Sequence, residues 1–278
     1  MTIDLLIKIG GSCISDKEQI FKALKSNSLD AAKLLKLKTI MINQIAEGLG
    51  VVYKSMKRII ILTGVGTPGH YTVLKYQLHK GNNKTLKQHL GLLEAQIAVN
   101  RLRQEFLEAF LRHKLPVVQF YASSMYESNN RRIIKGNTDN IAKFMSTGMV
   151  PVISGDMVPD ITMGYSVLSG DQILYDLAKK FKPEKIIFGS DVDGIYESDP
   201  KKNPNSRLIT QISRNEIDSR IEEIGGTDAS GQLRGKLNEI KNLLDNDFGD
   251  IAVINLTKKG ILKQVLLEEE VLCTHFYK

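Results

Sequence analysis

Short apolar runs recur along this chain, and several of them break into glycine. Leu5-Leu-Ile-Lys-Ile9 precedes Gly10-Gly-Ser12, Ile59-Ile-Ile-Leu62 precedes Thr63-Gly64, Val150-Pro-Val-Ile-Ser154 precedes Gly155-Asp156, and Lys185-Ile-Ile-Phe188 precedes Gly189. Such blocks of Ile, Val and Leu have the composition of buried strands. Pro116–Phe120 and Ile251–Leu256 read the same way. Between the runs, apolar residues return at helical spacing. A chain that alternates strand and helix builds a mostly parallel sheet covered on both faces. The expected fold is therefore α/β, an open αβα sandwich with a mostly parallel central sheet. The 278 residues suffice for one large core, and no linker, repeat or low-complexity segment divides them. We expect one domain over 1–278, with an N-terminal lobe to about 180 and a C-terminal lobe from about 181.

The spacing predicts helices over about 29–57, 71–78, 86–113, 138–146, 172–181, 212–223, 235–245 and 258–267. Thr138 is a candidate cap. Residues 121–136 read as polar and irregular, with Tyr121–Tyr126 either a pocket wall or a plain surface loop. Residues 157–168 read as a hairpin turning near Gly164. In the helix from Leu86, the residues Leu90, Leu93, Ile97, Leu102, Phe106, Phe110 and Leu111 form an apolar side. Such a side is more often core than pocket wall.

The net charge is +7, with basic residues scattered and no arginine-rich run. That favours small anionic ligands over nucleic acid. Cys13 and Cys273 are the only cysteines, too few for a disulfide framework, so a reducing cytoplasm is expected. No apolar stretch approaches a membrane span, and no leader pattern opens the sequence.

Four loops follow strands and carry unusual residues: Lys8–Ser12, Gly64–His70, Ser154–Asp156 and Ser190–Gly194. In open α/β sheets ligands bind outside the carboxyl ends of the strands. Glycines there expose backbone N–H groups to an anion, above all where a helix begins. Lys8, inside an apolar strand, can reach forward to a phosphate as a point charge. His70 stands at the rim of the glycine turn. These groups together suit phosphoryl transfer, which needs positioning and positive charge. Each residue also has a plainer reading: a solvent lysine, an ordinary β-to-α turn, turn-forming Asp191 and Asp193, a cap at Asp171, a solvated helix lysine at Lys236. Gly64–Gly69 fits a dinucleotide fingerprint only weakly, because no acidic ribose partner follows about 20 residues on.

Taken in order, the motifs resemble the amino acid kinase family over nearly the full length. They are Lys8-Ile-Gly-Gly-Ser12 with Ser15-Asp-Lys17, Gly64–His70, Ser154-Gly-Asp-Met-Val158, Leu168-Ser-Gly-Asp171, Ser190–Tyr196, and Asp228-Ala-Ser-Gly231 with Lys236. Lys17 combined with His70 resembles the isopentenyl phosphate and fosfomycin kinase branch. The resemblance implies ATP with Mg2+, a small phosphate monoester as acceptor, and a homodimer. The implied acceptor is isopentenyl phosphate; a phosphonate such as fosfomycin, another small acid, or binding without catalysis are the alternatives.

The resemblance also implies roles. Lys8 contacts the transferring phosphoryl, Lys17 and Lys236 the ATP phosphates, and Asp171 orients the lysines. Gly10, Gly11, Ser12, Asp191, Asp193 and Gly194 lie beside the nucleotide. Gly64, Val65, Gly66, Gly69 and His70, with Ser154, Gly155 and Asp156, hold the acceptor. No direct metal ligand is assigned. Two residues depart from the family pattern: Val65 replaces the middle of three glycines, and Pro68 stands where an aromatic or other residue is usual. Val65 tolerates positive φ poorly, which predicts a reshaped turn.

Overall fold

The computed structural model describes residues 2–16, 18–25, 36–225, 232–267 and 269–278. The first half of the chain opens with β1 (Leu5–Ile9), α1 (Gly11–Ile14), α2 (Glu18–Lys25), α3 (Thr39–Val52), β2 (Ile59–Thr63) and α4 (Gly66–Lys75). The long α5 (Leu86–Arg112), β3 (Val117–Tyr121), α6 (Ala122–Met125), β4 (Tyr126–Asn129) and β5 (Arg132–Gly136) follow. Next come α7 (Asp139–Ser146), β6 (Val150–Ser154), β7 (Asp156–Asp160), β8 (Gly164–Leu168) and α8 (Gly170–Phe181). The chain closes with β9 (Lys185–Ser190), β10 (Ile195–Tyr196), β11 (Leu208–Ile209), β12 (Gln211–Ser213), α9 (Ile217–Gly225), α10 (Gln232–Asp245), β13 (Ile251–Asn255), α11 (Ile261–Leu266) and β14 (Thr274–Tyr277).

Eight strands form the central sheet in the order β12-β14-β13-β9-β1-β2-β6-β3. Every neighbouring pair is parallel except β13 with β14. This is the expected mostly parallel sandwich. Alternate residues of each strand serve opposite faces. Leu5, Ile7 and Ile9 join α3, α5 and α11 in one core, whereas Leu6 joins α7, α8 and α10 in the other. Lys8 shares the parity of Leu6, so its side chain belongs to the face of α8 and α10. The chain leaves β1 to one side for β2 and later returns to its other side as β9. That reversal is where open α/β sheets bind ligands. The register sets Ile9 level with Thr63 and Gly189, and Thr63 level with Ser154. The loops after β1, β2, β6 and β9 thus emerge from one row.

Several boundaries differ from the sequence expectation. The helix predicted over 29–57 is α3, Thr39–Val52, and part of the predicted range lies outside the described residues. The helix predicted from Tyr71 begins at Gly66, so the glycine turn is itself the first helical turn. Val65 stays right-handed at φ −85°, and Gly66 takes the left-handed place at φ +57°. The turn therefore needs no strained valine. Residues 121–136, read as irregular, contain α6 and the β4–β5 hairpin. Its two-residue turn places Asn130 and Arg131 at positive φ (47° and 67°), the geometry of a tight hairpin without a glycine. The expected hairpin over 157–168 is β7–β8. Thr138 takes the cap position of α7, but its hydroxyl makes no capping bond. Along α5, Leu102, Phe106 and Phe110 are core, while Leu90, Leu93, Ile97 and Leu111 face outward. Among the described residues no helix is long and apolar enough to cross a membrane.

Candidate active site

Lys8, one residue before the end of β1, points at the first turn of α8, where its ammonium pairs with Asp171. The two side chains are only 13% and 15% exposed, so Lys8 is not a solvent lysine. Ser169, not Asp171, caps α8: its hydroxyl accepts from the Gln172 N–H at 3.2 Å. That leaves the Asp171 carboxylate available to hold Lys8. Lys236 projects from α10 on the same face and is half-buried. Burial of its ammonium, then the nearby Lys8 charge, lowers its pKa, with Asp171 and Asp191 opposing. Two cations thus crowd one place and share one carboxylate. Cys13 lies close by, but burial, then Asp191, pushes its thiol up to about 12, so it is no nucleophile at neutral pH.

The loops after β1 and β2 meet backbone to backbone. A Cβ on Gly64 would lie 2.7 Å from the Gly11 nitrogen. Ser15 ties the pair, accepting from the Thr67 N–H at 2.8 Å and donating to the Gly11 carbonyl at 3.1 Å. The amides of Val65, Gly66 and Gly155 find no hydrogen-bond partner among the described residues. All three residues line a single cleft of about 980 Å³, as do Lys8, Asp171 and Lys236. Unpaired amides at the start of α4 form an anion cradle. Gly69 and His70 on α4 also line the cleft, as do Gly10, Gly11 and Ser12 beside the cradle. Farther in, Val73, Ala95, Val99, Met157 and Val167 make an apolar wall. Among the described residues no group of three His, Cys, Asp or Glu side chains is arranged to hold a metal ion.

On the β9 side, Asp191 lines the cleft and pairs with Lys201. Burial raises its pKa, but hydrogen bonds from Lys201 and Ser12 outweigh that and hold it below the usual range. Asp193 does not line the cleft. Its carboxylate is taken by Lys258 at 2.7 Å and Asn255 at 3.1 Å. Gly194 lines the cleft and is also pressed against β14, where a Cβ would meet Thr274 Oγ1 at 2.2 Å. Ser154 is fully buried below the cleft floor, and both Ser154 and Asp156 turn their side chains to Arg103. Lys17 lies outside the described residues, as does Asp228–Gly231.

The sequence reading gave no role to Arg103, Arg132 or Lys201, and quoted Ser15 only as part of the Ser15-Asp-Lys17 motif. Arg132, at the start of β5, reaches Glu239 at 3.0 Å, one turn beyond Lys236 on α10. Only Arg103 offered a signal, as a charge inside the buried stripe of α5.

The model of the amino acid kinase family matches residues 5–255. The isopentenyl phosphate kinase of Methanothermobacter thermautotrophicus is 29% identical over 272 residues, 96% of each chain. That of Methanocaldococcus jannaschii is 26% identical, covering 95% of each. An X-ray structure of an isopentenyl phosphate kinase superposes with a TM-score of 0.77 at 28% identity, over 96% of this chain and 97% of that one. With a mostly parallel sandwich, a lysine–aspartate pair and a glycine cradle in one cleft, this chain belongs to the amino acid kinase family.

Proposed function

We propose that this chain transfers the γ-phosphoryl group of ATP to isopentenyl phosphate, giving the diphosphate and ADP. A phosphate oxygen of the acceptor forms the new P–O bond as the bond from the γ-phosphorus to the β–γ bridging oxygen breaks. The acceptor phosphate is largely ionised near neutral pH, so it needs no strong base. What the reaction needs is positive charge where charge shifts and a fixed line of approach. Lys8 and Lys236 supply the charge, and Asp171 orients Lys8 without acting as a base. The cradle of Val65, Gly66 and Gly155 holds the acceptor phosphate beside His70. Lys17 contacts the ATP phosphates, with Ser12 and Asp191 on the nucleotide side. Of the cleft carboxylates, Asp171 and Asp191 are paired with Lys8 and Lys201, and Asp156 and Glu239 with Arg103 and Arg132, a donor set that suits Mg2+ carried on the nucleotide's own phosphates. When bound, Mg2+ neutralises phosphate charge.

The observation that carries this reading is the apolar wall of Val73, Ala95, Val99, Met157 and Val167 next to the cradle. It suits a short branched hydrocarbon tail and would be left largely unfilled by a small phosphonate such as fosfomycin. The relatives named isopentenyl phosphate kinase support the same choice. The acceptor lobe is the N-terminal part to about 180, and the nucleotide lobe is the remainder. The buried, unpaired Cys13 and Cys273 suit a reducing cytoplasm. An exposed stripe on α5, led by Leu86 at 72% exposure and Leu90 at 55%, suits a homodimer.

The test is steady-state kinetics with ATP against isopentenyl phosphate, fosfomycin and small carboxylic acids. Isopentenyl phosphate should give the highest kcat/KM. His70→Ala should raise the acceptor KM and lower kcat with little change in ATP KM, and His70→Gln, which keeps an N–H donor, should recover part of the loss. A His70→Ala effect confined to ATP KM would reverse the assignment of the two lobes.

A further inference from the structure

Arg103 is 4% exposed, within a stripe of α5 that is otherwise core: Val99, Leu102, Phe106 and Phe110. A buried cation is expensive unless paired and hydrogen-bonded. Here it is both. Its Nε donates to Ser154 Oγ at 2.7 Å, Nη1 to Asn100 Oδ1 at 2.8 Å and Nη2 to Asp156 Oδ2 at 2.6 Å. The guanidinium lies 4.8 Å from the centre of the Tyr121 ring. An apolar side chain would fill such a site with less desolvation, so stability alone is a weak reason for the arginine.

The two contacts on the β6–β7 segment bracket Gly155. In extended chain, residues i and i+2 share a face and i+1 takes the other. Ser154 and Asp156 are held by Arg103 on α5, and Gly155 between them lines the cleft. A Cβ there would lie 3.5 Å from Val65 Cγ1 and 3.4 Å from the Gly170 nitrogen. The second oxygen of Asp156 accepts from the Met157 N–H at 2.9 Å, which fixes the following peptide as well. The segment is therefore held from behind on both sides of the one residue whose amide is unpaired.

We propose that Arg103 is a positioning residue for the acceptor: its fork sets the direction of the Gly155 amide, which completes the phosphate cradle opposite Val65 and Gly66. This rests on the reading that the cradle holds the acceptor phosphate. Arg103 itself touches no substrate.

The experiment varies each substrate in turn for wild type, Arg103→Met, Arg103→Lys and Ser154→Ala, with nucleotide affinity measured separately by titration with a non-hydrolysable ATP analogue. Arg103→Met should raise the acceptor KM by about tenfold or more while analogue affinity stays within roughly twofold, the scale of a small misplacement in a site. Arg103→Lys, which keeps the charge but not the fork, should fall between. A further variant, Arg103→Ala, should show the same raised acceptor KM, and added guanidinium ion at low concentration should lower it again, with sodium chloride at equal ionic strength as control. Should the Arg103 variants not fold, Ser154→Ala removes one of the two bracketing contacts and should raise the acceptor KM alone. An unchanged acceptor KM in folded Arg103→Met or in Ser154→Ala, or equal losses for both substrates without guanidinium rescue, would overturn the assignment. Wild-type turnover of isopentenyl phosphate tests the functional reading separately, because the KM shift can be measured on any phosphate the wild type accepts.

Discussion

A lysine set in an apolar strand and followed closely by two glycines is out of place unless something receives its charge. For Lys8 that partner is Asp171, 163 positions away. Lys8→Ala should cut kcat by about 10²-fold or more, with a smaller change in nucleotide affinity, the scale of removing one preorganised donor; rapid-quench turnover measures it directly. Lys236 adds a pH signature. Its pKa lies below the usual lysine 10.5, so on raising the pH it loses its proton before an ordinary lysine does. The kcat/KM for ATP, which reports the free enzyme, should therefore fall along an alkaline limb below pH 10.5. Lys236→Arg remains charged there and should shift that limb upward. Lys8 and the glycines were legible because each is odd within its own few residues, whereas Lys17 and Lys236 entered only through the family resemblance. Arg103, Ser154 and Asp156 were legible only as types. That their side chains satisfy each other depends on α5 crossing behind β6, some 50 positions apart in sequence, which no local pattern encodes.

At the scale of elements, the strands and the long helix followed from periodicity, and the misses came at turns. The β4–β5 hairpin lacked a glycine signal, since Asn130-Arg131 supplies the left-handed pair. Its stabiliser lies on another strand. Asp160 accepts from the N–H groups of Asn130 and Thr162 at 3.1 Å, of Arg131 at 2.8 Å and of Met163 at 2.9 Å, and from Ser128 Oγ at 2.9 Å. One carboxylate thus closes both hairpins of a second, four-stranded sheet, ordered β5-β4-β7-β8, that leads into α8. Burial raises its pKa, but these donors outweigh it and hold the carboxyl well below the ordinary 3.8. A depressed folded-state pKa gives stability that is complete above the unfolded value and is lost as pH falls through the folded one. Asp160→Asn should therefore destabilise the protein by about 2 kcal/mol at neutral pH. In urea titrations the gap to wild type should shrink below about pH 4, where the wild-type carboxylate protonates on unfolding.

For the molecule as a whole, the central position of β1 decides most of the rest. It places one core on each face and brings the loops after β2, β6 and β9 to one edge. The sequence could supply the alternation that demands such a sheet, but not the strand order, because any parallel arrangement buries the same runs. It was equally silent on which apolar residues of α5 face outward. If Leu86, Leu90, Leu93 and Ile97 seat a second copy, Leu90→Glu with Leu93→Glu should halve the mass seen by light scattering while leaving circular dichroism unchanged. A wild type that elutes as a monomer would remove that role from the stripe. The contact of Gly11 with Gly64 has a different bearing. On the proposed reading, the loops that hold the nucleotide's and the acceptor's phosphates abut through main-chain atoms at Gly11 and Gly64 and are tied by the Ser15 side chain. The spacing between those loops is therefore set by a close backbone contact and one serine bridge, not by the packing of large side chains. On that reading the apolar wall on α4, α5, β7 and β8 can be rebuilt for longer or bulkier tails without disturbing the contact between the two loops.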